Sequence, residues 1–191
     1  MSKNHVASDV AYVAVFTAIV IVLAFVSIPV GTAGVPIVLQ NAALILAGLV
    51  LGPRRGLYVG LLFLLLGLAL PVLAGGGTTL RSLAGPSAGY IIGYVLSPAI
   101  TGAIAYRAPR TKSGMAIIFA FAAIVGLLIQ YVCGAVGLML RAGMDIMAAF
   151  GAQLAFVLPD TGKLIFAVII ALAVHQAFPQ LRRKGVASAG D

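Results

Sequence analysis

Asp160 and Lys163 stand three residues apart in the run Leu158-Pro159-Asp160-Thr161-Gly162-Lys163. On a helix that spacing puts both on one face. A carboxylate accepts hydrogen bonds and an ammonium donates them, so the pair can read a ligand that offers both N–H and C=O groups. The same residues can instead pair with each other, with Asp160 capping a helix entered through Pro159. Spacing leaves both uses open. A second polar stretch, 75–90, reads GGGTTLRSLAGPSAGY. Its glycines permit tight turns and close backbone approach to a ligand. Thr78, Thr79 and Ser82 offer hydroxyls, and Arg81 can grip a carboxylate with two parallel hydrogen bonds. Tyr90 adds a flat face with a hydroxyl. The stretch reads equally as a plain external loop. It lacks the Gly-Lys-Ser/Thr ending of a phosphate-binding loop, which disfavours nucleotides. Gln40 and Asn41 form a third polar spot, early in an apolar run. In lipid their amides need partners, either on neighbouring helices or in the same pocket.

Enzyme chemistry finds little support. His5 lies in the N-terminal tail and His175 at the far end of the last apolar run, away from Asp160. There is no HExxH, no GxSxG and no cluster of His, Cys, Asp and Glu at metal-ligand spacing. Cys133 has no second cysteine to pair with and reads as a small packing residue. We therefore expect no catalytic residues, no metal and no cofactor. With no ATP-binding signature either, any ATP-driven step needs other subunits.

The elements that must position these residues follow from composition. Hydrophobic residues make up 62% of the 191 and charged residues 8%, with no Glu and no Trp. Soluble chains carry about 25% charged residues, so most of this surface must face lipid. A bilayer-crossing helix takes about 20 apolar residues. Six runs qualify: 10–28, 36–51, 57–73, 87–106, 115–140 and 160–178. Pro29 and Gly31 end the first, Gly52-Pro53-Arg54-Arg55-Gly56 turns the chain after the second, and Pro98 predicts a kink in the fourth. Segment 141–158 is amphipathic, mixing Met144, Met147 and Phe150 with Arg141, Asp145 and Gln153, and reads as interfacial or re-entrant. The first run is too long for a cleavable signal peptide, and no A-x-A site follows it. Residues 1–9 and 184–191 read as frayed tails.

The sequence thus predicts an all-α membrane protein, one integral domain over 1–191. With six spans both termini share a side, and nine of the twelve Lys and Arg fall on it: Lys3, Arg54, Arg55, Arg107, Arg110, Lys112, Arg182, Arg183 and Lys184. The positive-inside rule makes that side cytoplasmic. Cations spread between apolar runs do not form the exposed basic face of a nucleic-acid binder. Arg81, Arg141 and Lys163 remain outside. Charges near a membrane interior usually face a cavity or a partner, so they predict an outward-opening polar pocket. Glycines such as Gly60, Gly67, Gly89, Gly93, Gly134 and Gly137 suit close helix packing. In Ala14-Val15-Phe16-Thr17-Ala18, alanines one turn apart make a smooth face able to dock a partner.

Three stretches in this order carry a family resemblance: VPIVLQNAALILAGLVLGPRRG, GPSAGYIIGY and PDTGK. Over about residues 11–175 the chain resembles BioY, the biotin-binding S component of energy-coupling-factor (ECF) vitamin transporters. GPSAG departs mildly from the family's usual GPTGG. The resemblance implies six helices in a bacterial plasma membrane, with cytoplasmic termini and an outward substrate pocket. It also implies that Ala14 and Ala18 dock on a transmembrane coupling subunit, which binds a pair of cytosolic ATPases. Toppling of the S component, driven by ATP hydrolysis, would then release the vitamin inward. For biotin, it implies that Asp160 accepts a ureido N–H, that Lys163 donates nearby and that Arg81 meets the carboxylate. Tyr90, Gln40 and the Gly85-Pro86-Ser87 backbone shape the rest. Rival readings are an S component for thiamine or riboflavin and a solitary biotin transporter without ATPases. A membrane enzyme or an inert assembly subunit is disfavoured by the missing catalytic clusters and by the outward charges.

Overall fold

The computed structural model describes residues 3–28 and 35–183. Pro29, Gly31 and the 184–191 tail, with Lys184, lie outside the described residues. Among those described, the chain forms α1 (Lys3–Ala24), α2 (Gln40–Leu51), α3 (Pro53–Ala69), α4 (Thr79–Ala84), α5 (Ala88–Ala105), α6 (Lys112–Ala142), α7 (Ile146–Gly151), α8 (Leu154–Ala177) and α9 (Gln180–Arg183). Two short strands, β1 (Ser27–Ile28) and β2 (Ile37–Val38), pair antiparallel and place Ser27 opposite Val38.

The exterior is apolar. Leu140, Met147 and Leu158 are each about four-fifths exposed, and Ile117, Phe166 and Val22 about two-thirds. Water would not tolerate so continuous an apolar surface; lipid does. Among the described residues, four stretches are long and apolar enough to cross a membrane: Val6–Ala24, Ala88–Ala105, Lys112–Ala142 and Ile146–Ala177. The other two expected spans fall below that length: α2 has 12 residues against the expected 16, and α3 keeps 17 but starts four residues earlier, at Pro53. At about 1.5 Å per residue, α2 reaches only about 18 Å. Nearly all of α2 is buried, including Leu44, Ile45 and Leu49. Its all-round apolar sequence therefore marks a central helix enclosed by the others.

Several element boundaries differ from the sequence reading, each for a local reason. Run 10–28 stops being helical at Ala24, because Ser27 and Ile28 pair with Ile37 and Val38. That pairing also delays α2 to Gln40, so Pro36 precedes the helix and does not open it. The N-terminal tail is helical from Lys3, and the side chain of Asp9 is tied to Arg55 by an ion pair. At 52–56 a single residue turns the chain: Gly52 has φ 83°, and Pro53 already starts α3. Proline at a first helical position loses no bond it could have made. The 75–85 loop contains α4, whose capping residue Thr78 accepts from the Arg81 N–H at 3.2 Å. Segment 141–158 is mostly helical: α6 runs on to Ala142, α7 follows, and α8 begins at Leu154. Pro159 and Asp160 therefore lie inside α8 and do not open it, so Asp160 caps nothing.

Glycines set the closest approaches. α5 lies against α6 where Gly89 meets Gly137; a Cβ on Gly89 would come 2.8 Å from the Gly137 nitrogen. Gly60 faces the Tyr94 carbonyl, which a Cβ would approach to 2.6 Å. At one end of the bundle the Tyr106 hydroxyl donates to the Val50 carbonyl at 2.7 Å, and His175 Nε2 meets the Leu49 carbonyl at 2.9 Å. With the Arg55–Asp9 pair, these contacts bring together the start of α1, the α2–α3 turn and the ends of α5 and α8. Asp160, Lys163 and the 75–90 stretch belong to the opposite end.

Candidate functional site

The predicted polar residues divide between two adjoining spaces. The larger is a cavity of about 500 Å³ lined by Gln40, Arg81, Gly85, Ser87 and Tyr90, with Ser27, Val35, Pro36, Ser82 and Tyr94 among their neighbours. It gathers side chains from α2, α4 and α5 and from the β1 and β2 flanks. The smaller holds about 30 Å³ beside Asp160 and Lys163, together with Asn41, Gln130, Tyr131 and Phe156. Val35, Pro36, Val38, Tyr90 and Tyr94 line both. Five of the seven expected substrate residues thus share one chamber, and the charged pair sits in its annex.

Local structure explains each placement. Gly85 ends α4 and Ser87 precedes α5, so the turn between these helices lies at the cavity wall. Arg81, exposed on α4, lines the same wall. Of the other two outer cations, Lys163 belongs to the annex, whereas Arg141 is exposed in the last turn of α6. Asp145 caps α7, accepting from the Met147 and Ala148 N–H groups at 2.9 and 3.1 Å.

The annex is a closed polar knot. Asp160, only 3% exposed, pairs with Lys163, accepts from Asn41 Nδ2 at 3.1 Å and accepts from the Tyr131 hydroxyl at 2.8 Å. Lys163 also donates to the Val38 carbonyl at 2.7 Å and to Asn41 Oδ1 at 3.3 Å. Gln130 Nε2 extends the knot, donating to Ser97 Oγ at 2.8 Å and to the Asn41 carbonyl at 3.3 Å. Buried charges need this much pairing.

The chamber is wired differently. The Tyr90 hydroxyl donates to Gln153 Oε1 at 2.6 Å, and Gln153 Nε2 donates to the Ala149 carbonyl at 2.9 Å. Phe156 meets the Tyr90 ring edge-on, centroids 6.3 Å apart. Gln40 Nε2 donates to the Tyr94 hydroxyl at 3.1 Å, while Gln40 Oε1 is buried without a partner. Sequence reasoning missed Tyr94, Gln130 and Tyr131. Tyr94 follows Tyr90 by one helical turn, and Gln130–Tyr131 interrupts a long apolar helix. Both are legible signals for groups facing a polar interior. Gln153 was visible only as part of an amphipathic segment.

Ala14 and Ala18 are exposed on α1, away from these spaces. Ala14 borders an apolar groove between α1 and α3, lined also by Val10, Val13, Tyr58, Leu61 and Leu65.

Comparison with known proteins places this architecture. Residues 1–180 match the profile of the BioY family. A biotin transporter BioY of Rhizobium etli is 34% identical over 179 residues, covering 91% of this chain and 96% of that protein. One of Lactococcus lactis is 33% identical, covering 89% and 92%. A probable biotin transporter BioY of Pyrococcus horikoshii is 36% identical over 166 residues, covering 86% and 94%. The crystal structure of an S component for biotin from an ECF-type ABC transporter superposes with a TM-score of 0.83 at 31% identity, over 92% of this chain and 95% of that one. These relatives are named as transport proteins, not as enzymes. The chain, a multi-pass membrane protein, belongs to the BioY family.

Proposed function

We propose that this chain is the biotin-capturing subunit of a vitamin uptake system. It takes biotin at the outer face of a bacterial plasma membrane and passes it inward with an ATP-driven ECF module. The carrying observation is the roughly 500 Å³ chamber, where Gln40, Arg81, Gly85, Ser87 and Tyr90 converge in a chain of this family. Its volume falls within the roughly 300–1,000 Å³ of small-molecule sites. Biotin has a polar ureido ring at one end and a carboxylate at the other. Arg81 suits the carboxylate; the amides and hydroxyls of α2 and α5 suit the ring. Asp160 and Lys163 complete the proposed set from the annex.

In this reading the chain is one integral domain of six bilayer-embedded helices with cytoplasmic termini. The bundle end carrying Asp9, Arg54 and Arg55 faces the cytoplasm, which supports placing the chamber outside. The α1 face bearing Ala14 and Ala18 docks on a transmembrane coupling subunit joined to two cytosolic ATPases. Its small residues and the groove beside them support close helix contact.

Titration calorimetry on the purified protein tests the substrate. Binding near one biotin per chain is expected, and no detectable heat would sink the proposal. Biotin accumulation by cells with and without the coupling subunit and ATPases tests the module. Equal uptake in both would favour a solitary transporter.

A further inference from the structure

The apolar groove between α1 and α3 holds about 710 Å³ and shares no lining residue with the chamber. Its walls follow helical spacing: Val6, Val10 and Val13 on α1, and Tyr58, Leu61 and Leu65 on α3. Val13 is buried at its floor, and the other five are exposed, so among the described residues no protein covers them. Arg54, at the start of α3, lines one end and Leu65 the other. Between them α3 rises about 16 Å, about half of the roughly 30 Å hydrocarbon core. The groove is therefore as long as one leaflet is deep, which is the reach of a single acyl chain.

The Arg54 end is polar. Asp9 lines it too, but its carboxylate is spent on Arg55, whose guanidinium also lies over the Tyr12 ring at 5.2 Å from the centroid. Arg54 is exposed and forms no ion pair among the described residues. Its Nε donates to the Tyr58 hydroxyl at 3.3 Å, which holds the guanidinium beside the groove wall and leaves its two terminal nitrogens to bind. Such a fork fits phosphate oxygens. Tyrosines at a helix end sit at the headgroup level of a bilayer. A cation at the mouth of a groove between membrane helices, on the cation-rich side, matches an anionic headgroup. A zwitterionic lipid carries its own cation beside the phosphate and gains less from Arg54.

We propose that this groove is a binding site for one anionic phospholipid, with an acyl chain between α1 and α3 and the phosphate on Arg54. The site needs nothing from the biotin reading of the chamber. Only its leaflet, the inner one, rests on the orientation proposed above. Ala14 borders the groove and belongs to the proposed docking face, whereas Ala18 lies outside the groove. A bound lipid therefore abuts that face along one edge.

The test reads retained lipid by native mass spectrometry, after release of the protein from nanodiscs of equal parts phosphatidylglycerol and phosphatidylcholine. One lipid per chain is expected. Phosphatidylglycerol should be retained about fivefold over phosphatidylcholine, the scale of one basic side chain at an anionic lipid surface. Arg54→Gln should bring the two lipids to within about twofold. Arg107→Gln removes an exposed cation outside the groove and should keep the preference. Leu61→Trp fills the groove and should lower retention of both lipids. A preference that survives Arg54→Gln, or that falls equally in Arg107→Gln, marks diffuse charge and overturns the proposal. Retention untouched by Leu61→Trp overturns it as well, as does a lipid-free dimer, which would give the groove to a second copy of the chain. Monodisperse elution of each variant reports folding; if Arg54→Gln fails that check, the Leu61→Trp result decides.

Discussion

Replacing Lys163 with methionine keeps the aliphatic stem and deletes the ammonium. What it leaves behind sets the magnitude. Asp160 is 3% exposed and keeps only the hydrogen bonds from Asn41 Nδ2 and the Tyr131 hydroxyl. The Val38 carbonyl and Asn41 Oδ1 each lose a donor. Removing one partner of a buried pair costs about 3–5 kcal/mol, mostly for the stranded charge. Two surviving hydrogen bonds to Asp160 put Lys163→Met near the lower end, about 3 kcal/mol. Asp160→Asn is milder. The amide still accepts from Tyr131, and the Lys163 side chain, 12% exposed, keeps Val38 and Asn41; about 1–2 kcal/mol is expected. The double variant removes both charges, so its loss should fall at least about 2 kcal/mol short of the sum of the single losses. Reversible unfolding in mixed micelles measures all three stabilities. If the single losses add to within about 0.5 kcal/mol in the double variant, no coupled buried pair exists and the reasoning fails.

Other substitutions probe the chamber wall and the outer face of α1. Gly134→Ala would set a Cβ about 2.7 Å from Tyr90 Cδ1, closer than packed carbons allow. Overpacking of this kind costs about 1–3 kcal/mol. It should also push the Tyr90 hydroxyl off Gln153 and weaken biotin binding by calorimetry; unchanged affinity would show that Tyr90 does not shape the site. Ala14→Trp should abolish co-purification with the coupling subunit while leaving biotin affinity intact. Assembly that survives the tryptophan rejects the α1 docking face.

Much of the site was readable as a set of residue types. Gln40, Arg81 and Tyr90 were singled out by polarity within an apolar chain, Gly85 and Ser87 through the family resemblance, and all five line the chamber. That legibility has a physical cause, since lipid penalises unpaired polar groups and few survive without a use. Partnership was not readable. The spacing of Asp160 and Lys163 left ligand contact and mutual pairing both open, and here the two are joined with Asn41 and Tyr131. Asn41 lies 119 residues from Asp160 along the chain, so no local pattern could link them. Helix ends were the other weak point. Hydropathy cannot separate the end of α1 from β1, because both are apolar, and it cannot see that α8 starts before Pro159.

Sequence alone determined the class of molecule: apolar helices in lipid, cations gathered toward one side, and a few polar groups left where a pocket must be. Composition and periodicity suffice for that, because transfer into a bilayer depends on each side chain nearly independently. Only the tertiary structure decided which polar groups are spent on one another and which remain open. The Asp160–Lys163 pair, the plainest chemistry in the sequence, proves to be tied to Asn41 and Tyr131 in the annex. Gln40, an amide at the start of a short helix, carries the unpartnered oxygen at the chamber wall. Hydrogen bonding is directional and pairs residues far apart in the chain, so its outcome waits on the packed fold.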